Sequence, residues 1–165
     1  MFRLTFDVDG ERQLDRSLDI LARNLTDFTE IFKEIAEDFR ATQKKVFANS
    51  GAFDGLRRWA PLSRPYASWK MAHYGNKPIL TLTGRLRKSL TQKGAPSHIE
   101  RITARTLEIG TDDGIGMLHQ RGTRKMPKRK VIELSDSQKR RWVNIAHNEI
   151  FRNMTTQEMQ DFTSR

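Results

Sequence analysis

The sequence predicts an α+β fold: a single domain in which a small, mainly antiparallel sheet packs against long amphipathic helices. Three observations carry this. The chain opens on strict alternation, with Phe2, Leu4, Phe6 and Val8 interleaved with Arg3, Thr5, Asp7 and Asp9. Large apolar residues then recur every three or four positions as far as Val46. Two short alternating segments follow between residues 98 and 111. A period of two reads as a half-buried strand, and a period near 3.6 as a helix with one apolar face. A chain of 165 residues suffices for one domain with a real core. Residues 1–150 are expected to form that domain, and 151–165 a polar extension that orders on assembly.

The first strand closes at Gly10. From Glu11 the spacing of Leu14, Leu18, Leu21 and Leu25 predicts a helix. A second helix is expected to open near Thr26-Asp27, where either side chain can cap it and acids suit its N-terminus. Phe28, Ile31, Phe32, Ile35, Phe39 and Val46 form its apolar face, and NSGAFDG at 49–55 ends it. In RRWAPLSRPYASWKMAHYG, Ser63 ahead of Arg64-Pro65 predicts a short capped helix, with Trp59, Tyr66 and Trp69 covering one side.

The stretch KPILTLTGRLRKSL, 77–90, holds five large apolar residues and four cations and no acid. It reads as a loop entering a short amphipathic helix with Thr83 as N-cap. Ile79, Leu80, Leu82, Leu86 and Leu90 are expected to pin it to a core that also takes Trp59, Trp69 and Trp142. Burying one such leucine stabilises by roughly 1.5–3 kcal/mol, against at most about 1 kcal/mol for an exposed ion pair. The leucines therefore hold the segment, leaving Arg85, Arg87 and Lys88 to face a neighbour. SHIERIT and ARTLEIGT predict a hairpin turning near Thr103–Arg105. DDGIGMLHQRG reads as a turn followed by a short apolar segment, and TRKMPKRK as a cationic loop. Ser135 resembles an N-cap for a last helix with Trp142, Ile145, Ala146 and Ile150.

Charge divides the chain. Residues 1–50 carry 8 Lys/Arg against 10 Asp/Glu, and residues 51–165 carry 22 against 10, so a net −2 is followed by a net +12. The basic part either faces something negative or is a solvated face that keeps the protein in solution. With no cysteine, disulfides and thiolate metal sites are excluded. No apolar run approaches the roughly 20 residues of a membrane span, so no membrane partner is expected, and the alternating start is unlike a signal peptide.

Catalytic signatures are sparse. His73, His98, His119 and His147 show no metal-ligand spacing. Asp112, Asp113 and His119 invite comparison with a metal nuclease, but GTDDGIG is turn chemistry. Phosphate-loop, dinucleotide and nucleophile-elbow motifs are lacking. No enzyme, cofactor or metal is expected. RGTRKMPKRK concentrates six cations, Arg121, Arg124, Lys125, Lys128, Arg129 and Lys130, without interleaved aromatics for base stacking. It fits either sequence-blind contact with DNA phosphates or docking on an acidic protein rim.

The order and spacing of WAPLSRPYASWK, KPILTLTGRLRKSLT, LEIGT, MLHQRGT and MPKRKVIELSDSQKRRW resemble the phage virion-morphogenesis family, the tail-completion or tail S-like proteins of Mu-like and related tailed phages. The resemblance covers about residues 1–150. The chain departs from the family pattern in GIGMLHQRGT, which lacks a tyrosine before and a second glycine after the His-Gln, and in MPKRK, which is more cationic than the usual proline loop. The resemblance implies a non-enzymatic structural protein of the virion head–tail junction, assembled in the host cytoplasm. It implies a ring on the DNA axis, for which a hexamer is expected by analogy with tail-tube symmetry. Its expected neighbours are the portal or connector and the tail tube or tail terminator, with nonspecific contact to passing DNA. The interface candidates are Arg85, Arg87, Lys88, Arg121, Arg124, Lys125, Lys128, Arg129 and Lys130. The alternative is a basic DNA-binding or packaging accessory protein.

Overall fold

The computed structural model describes residues 11–152, the side chains of 11–15 and 17 excepted. The strand expected over 2–8 and most of the polar extension lie outside the described residues. Those described form an α+β single domain of six helices and one antiparallel hairpin.

Helix α1 (Glu11–Asn24) follows the predicted spacing, yet Leu18 and Leu25 remain exposed. Its end is tied to the C-terminal helix where Asn24 Nδ2 donates to the carbonyl of Ile150 at 2.7 Å. Helix α2 (Thr29–Ala48) is the axis of the fold. It starts two to three residues later than expected: Phe28 occupies the cap position, while Asp27 Oδ1 accepts from the Thr29 N–H at 2.9 Å. Ile31, Ile35, Ala36, Phe39, Val46 and Phe47 are buried on one side of it, as the 3.6-residue period requires.

Helix α3 (Arg64–Tyr74) begins after Ser63 with proline in its first turn. Helix α4 (Arg85–Thr91) buries Leu86 and Leu90. Its cap position is Gly84 at φ +84°, one residue past the expected Thr83, whose hydroxyl lies 3.4 Å from the Arg85 N–H. Strands β1 (His98–Ile102) and β2 (Leu107–Thr111) pair antiparallel, Ile102 opposite Leu107 and His98 opposite Thr111. Thr103 and Thr106 close the turn. The segment expected to be turn and apolar run is instead helix α5 (Gly114–Arg121), capped by Asp113, whose carboxylate accepts from the Ile115 N–H at 3.0 Å. Helix α6 (Asp136–Ile150) is capped by Ser135, whose hydroxyl accepts from the Gln138 N–H at 3.1 Å.

Phe39, Val46, Phe47, Trp59, Leu86, Leu90 and Val131 make the core, with Ile79, Leu80 and Trp142 packed half-buried against it. Leu82 is also half-buried. Trp59 stands off α3 and meets Phe47 edge-on, ring centroids 5.2 Å apart. Trp69, expected in the core, is 42% exposed. The α3 period cannot bury it, because the side of the helix turned inward carries Lys70.

Two polar clusters fasten the layers. Arg141 on α6 donates to Asp38 at 3.1 Å, Asp54 at 3.0 Å and Thr42 at 3.2 Å, and Trp142 Nε1 donates to Asp38 at 2.7 Å. On β1, Glu100 gathers Arg40, Lys93 and His98. Burial pushes the Glu100 carboxyl up, but hydrogen bonds from His98 and Lys93, with the charges of Arg40 and Lys93, outweigh it and hold it below the usual range.

Candidate interaction surface

Helix α3 is turned inside out. Its one buried residue is Lys70, 4% exposed, whose ammonium donates to the carbonyl of Pro78 at 2.6 Å. Tyr66, Trp69, Met71 and Tyr74 face solvent. The indole of Trp69 gathers the rings of Tyr66 at 5.5 Å, His73 at 5.1 Å and Tyr74 at 5.6 Å. The Lys77 ammonium lies 5.6 Å from the Tyr74 ring centre, a cation–π distance. Helix α5 adds Ile115, Met117 and Leu118, also exposed. Most isolated surface apolar residues mean nothing, but a contiguous patch rimmed by charge marks an interaction site.

Between α3, the 80–84 loop, α4 and α5 lies a cavity of about 180 Å³, with Lys70, Thr81, Arg85, Asp113 and His119 among its walls. The loop carries Leu80 at φ +59°, a conformation costing a side-chain-bearing residue about 1–2 kcal/mol. Lys70 has no carboxylate partner among the described residues, and burial, then the charge of Lys77, pushes its ammonium pKa down. Thr81 Oγ1 and His119 Nδ1 are shielded from solvent without a hydrogen-bond partner. Burial, then Arg129, pushes the His119 imidazole down as well. A buried cation and unmade hydrogen bonds both cost free energy. A second hollow of about 260 Å³, lined by Lys44, Arg87 and Lys88 with Thr81 and Gly84, continues the basic surface.

The predicted interface residues divide. Arg87 and Lys88 are exposed on α4, and Arg121, Arg124, Lys125 and Lys128 on or beside the cationic loop. Lys130 is exposed and pairs with Glu133. Arg85 does not stand free for a neighbour: its guanidinium forks Asp113, Nε to Oδ2 at 2.9 Å and Nη2 to Oδ1 at 3.2 Å. That fork, then the Ile115 N–H, holds the Asp113 carboxyl below its usual range against burial. Asp113 is thereby engaged both as a helix cap and in an ion pair. Among the described residues no group of three or more His, Asp or Glu side chains converges on a metal position.

Arg129 is the other correction. It is 4% exposed, donating Nε to the carbonyl of Ala60 at 2.7 Å and Nη2 to that of Pro61 at 2.9 Å. Gln120, which sequence reading passed over, holds the far end of the loop. Its Oε1 accepts from the N–H groups of Val131 at 2.7 Å and Ile132 at 3.0 Å, and its Nε2 donates to the Ile132 carbonyl at 2.8 Å. The α5 cap was within reach of the sequence, since Asp113 ahead of a helix-length apolar segment is a capping signal. The burial of Lys70 had no sequence signal at all.

The profile of the phage virion morphogenesis family matches residues 9–150. The chain belongs to that family, and with it to the structural proteins from which phage particles are built. No curated protein and no solved structure matches the chain. Among the described residues no helix is long and apolar enough to cross a membrane, and family membership makes the protein virion-associated.

Proposed function

We propose that this chain is a non-enzymatic subunit of the head–tail junction. It completes the tail and joins it to the DNA-filled head as a homo-oligomeric ring, with six copies expected. The portal or connector lies on one side, and the tail tube or its terminator on the other. The observation that supports this most is the cationic loop. Its outward cations Arg124, Lys125 and Lys128 are displayed on a frame fixed from within by Arg129 and Gln120. Charge presented on rigid backbone selects and orients a docking partner. The test is charge reversal on α4. Arg87→Glu with Lys88→Glu leaves the subunit folded, while heads and tails accumulate unjoined. Infectious particles from that double variant would overturn the assignment.

The second reading is a nonspecific DNA-binding or packaging accessory protein. It draws on the same loop, because no described carboxylate pairs with Arg121, Arg124, Lys125 or Lys128. Tight binding of arbitrary duplex by monomers, falling steeply with salt, favours it. A discrete ring with weak DNA affinity favours the junction.

A further inference from the structure

We propose that the α3–α5 face, with its Lys70–His119 cavity, is the socket for the acidic face of helix α2 of a second copy. This rests on the ring reading above and names the two surfaces that build the ring.

The socket side has an aromatic cluster at solvent, a buried ammonium with no described carboxylate partner, and two shielded polar atoms with nothing to bond. An apolar ligand leaves the ammonium and the unmade bonds where they are. A carboxylate brings the Lys70 ammonium the negative charge that no described residue supplies.

The matching surface is on the same chain. Glu30, Glu34 and Glu37 are exposed on α2, spaced four and three apart and so along one line of the helix. Glu30 reaches Lys33 at 2.6 Å. Arg152 lies near enough for the charges of Glu34 and Glu30 to push its pKa up after its main partner Glu149, while no described cation comes within ion-pair distance of Glu34 or Glu37. Leu18 and Leu25 on the adjoining α1 segment are exposed as well. One half of the chain thus presents acid and leucine, the other base and aromatic ring. The two surfaces share no element, so repeated contact between them is head-to-tail, and such contact gives a ring where the rotation from copy to copy closes and a filament where it does not. DNA would satisfy the positive charge but not the exposed leucines of the other half.

The experiment mixes two variants of the full chain and reads mass in solution. Wild-type protein should form a discrete assembly larger than a dimer. Glu34→Lys with Glu37→Lys destroys the plug, and Trp69→Ala, a surface change, destroys the socket. Each should weaken association at least tenfold, as loss of a central aromatic or charged anchor does, and circular dichroism checks that each still folds. Lys70→Met is a second socket variant, of similar length without the charge. Mixed in equal amounts, a plug variant and a socket variant retain one intact pair of surfaces and should give a heterodimer and nothing larger. Wild-type protein that stays monomeric at its highest soluble concentration overturns the proposal, as do variants that assemble normally or a mixture without heterodimer. If Trp69→Ala instead abolishes binding of duplex DNA by a monomer, the face belongs to nucleic acid. Should self-assembly fail while the α4 charge reversal still blocks tail joining, the junction role stands and only this interface falls.

Discussion

Trp59 donates its indole N–H to the backbone carbonyl of Lys130 at 2.7 Å, so the end of the cationic loop hangs from the same residue that edges Phe47 in the core. Display of charge and burial of apolar surface are therefore coupled through one side chain.

Trp59→Phe keeps most of the ring and deletes the donor, leaving the Lys130 carbonyl unpaired. The bond is part-buried, so its loss, together with the ring atoms removed beside Phe47, should cost about 1–3 kcal/mol. Urea unfolding should show a loss in that range.

The loop's cations should separate by role. Arg129→Ala removes two hydrogen bonds from a buried guanidinium to Ala60 and Pro61, and bonds of that kind contribute about 1.5–3 kcal/mol each. Arg124→Ala and Lys125→Ala, at exposed positions, should stay within about 0.5 kcal/mol of wild type. Equal thermal shifts for all three would contradict the assignment.

Gly51 sits at φ +94°, and a Cβ there would come within 2.8 Å of the Trp59 ring and 2.9 Å of its backbone nitrogen. Backbone cannot step aside as a side-chain tip can. Gly51→Ala should cost at least about 1–2 kcal/mol from the left-handed backbone alone, with the clash added. The melting midpoint reports it.

Leu86→Asp places a carboxylate in the core beside Leu90 and Phe47. An unpaired buried charge is among the costliest single changes, so the subunit should unfold or aggregate. A soluble, cooperatively melting variant would show that α4 is not anchored as described.

Acid should loosen the grip of α6 on the turn at Asp54 and of α4 on the cap of α5. Hydrogen bonds from Ser137, Ser135 and Arg141 hold the Asp54 carboxyl at about 2, down from 3.8. Asp113 is held low by Arg85. A carboxyl whose folded pKa is depressed contributes stability that is present above its unfolded pKa and lost as pH falls toward the folded one. Stability should therefore decline from about pH 4 toward pH 2. Asp54→Asn should be less stable at neutral pH and flatter across that window, measured by denaturant midpoints.

Much of the fold was written in local pattern. The spacing of Ile31, Ile35, Phe39 and Val46 set α2, Ser135 set the start of α6, and Leu107 with Ile109 marked a strand. These signals are legible because a helix or strand places neighbours in sequence on one face, whatever the rest of the chain does. The candidate surface was less legible. Cationic residues were visible as letters, but their exposure was not. Arg129 is consumed by Ala60 and Pro61, 69 and 68 residues away. Arg85 is consumed by Asp113, 28 residues on.

The α+β class, the charge division and the family are legible from residue order alone, since periodicity, composition and motif order are properties of the string. That Lys70 turns inward while Trp69 turns out, and that a cavity lies between α3 and α5, follows instead from long-range packing. Which side of a helix faces the core depends on what the distant chain brings against it, and no local spacing encodes that.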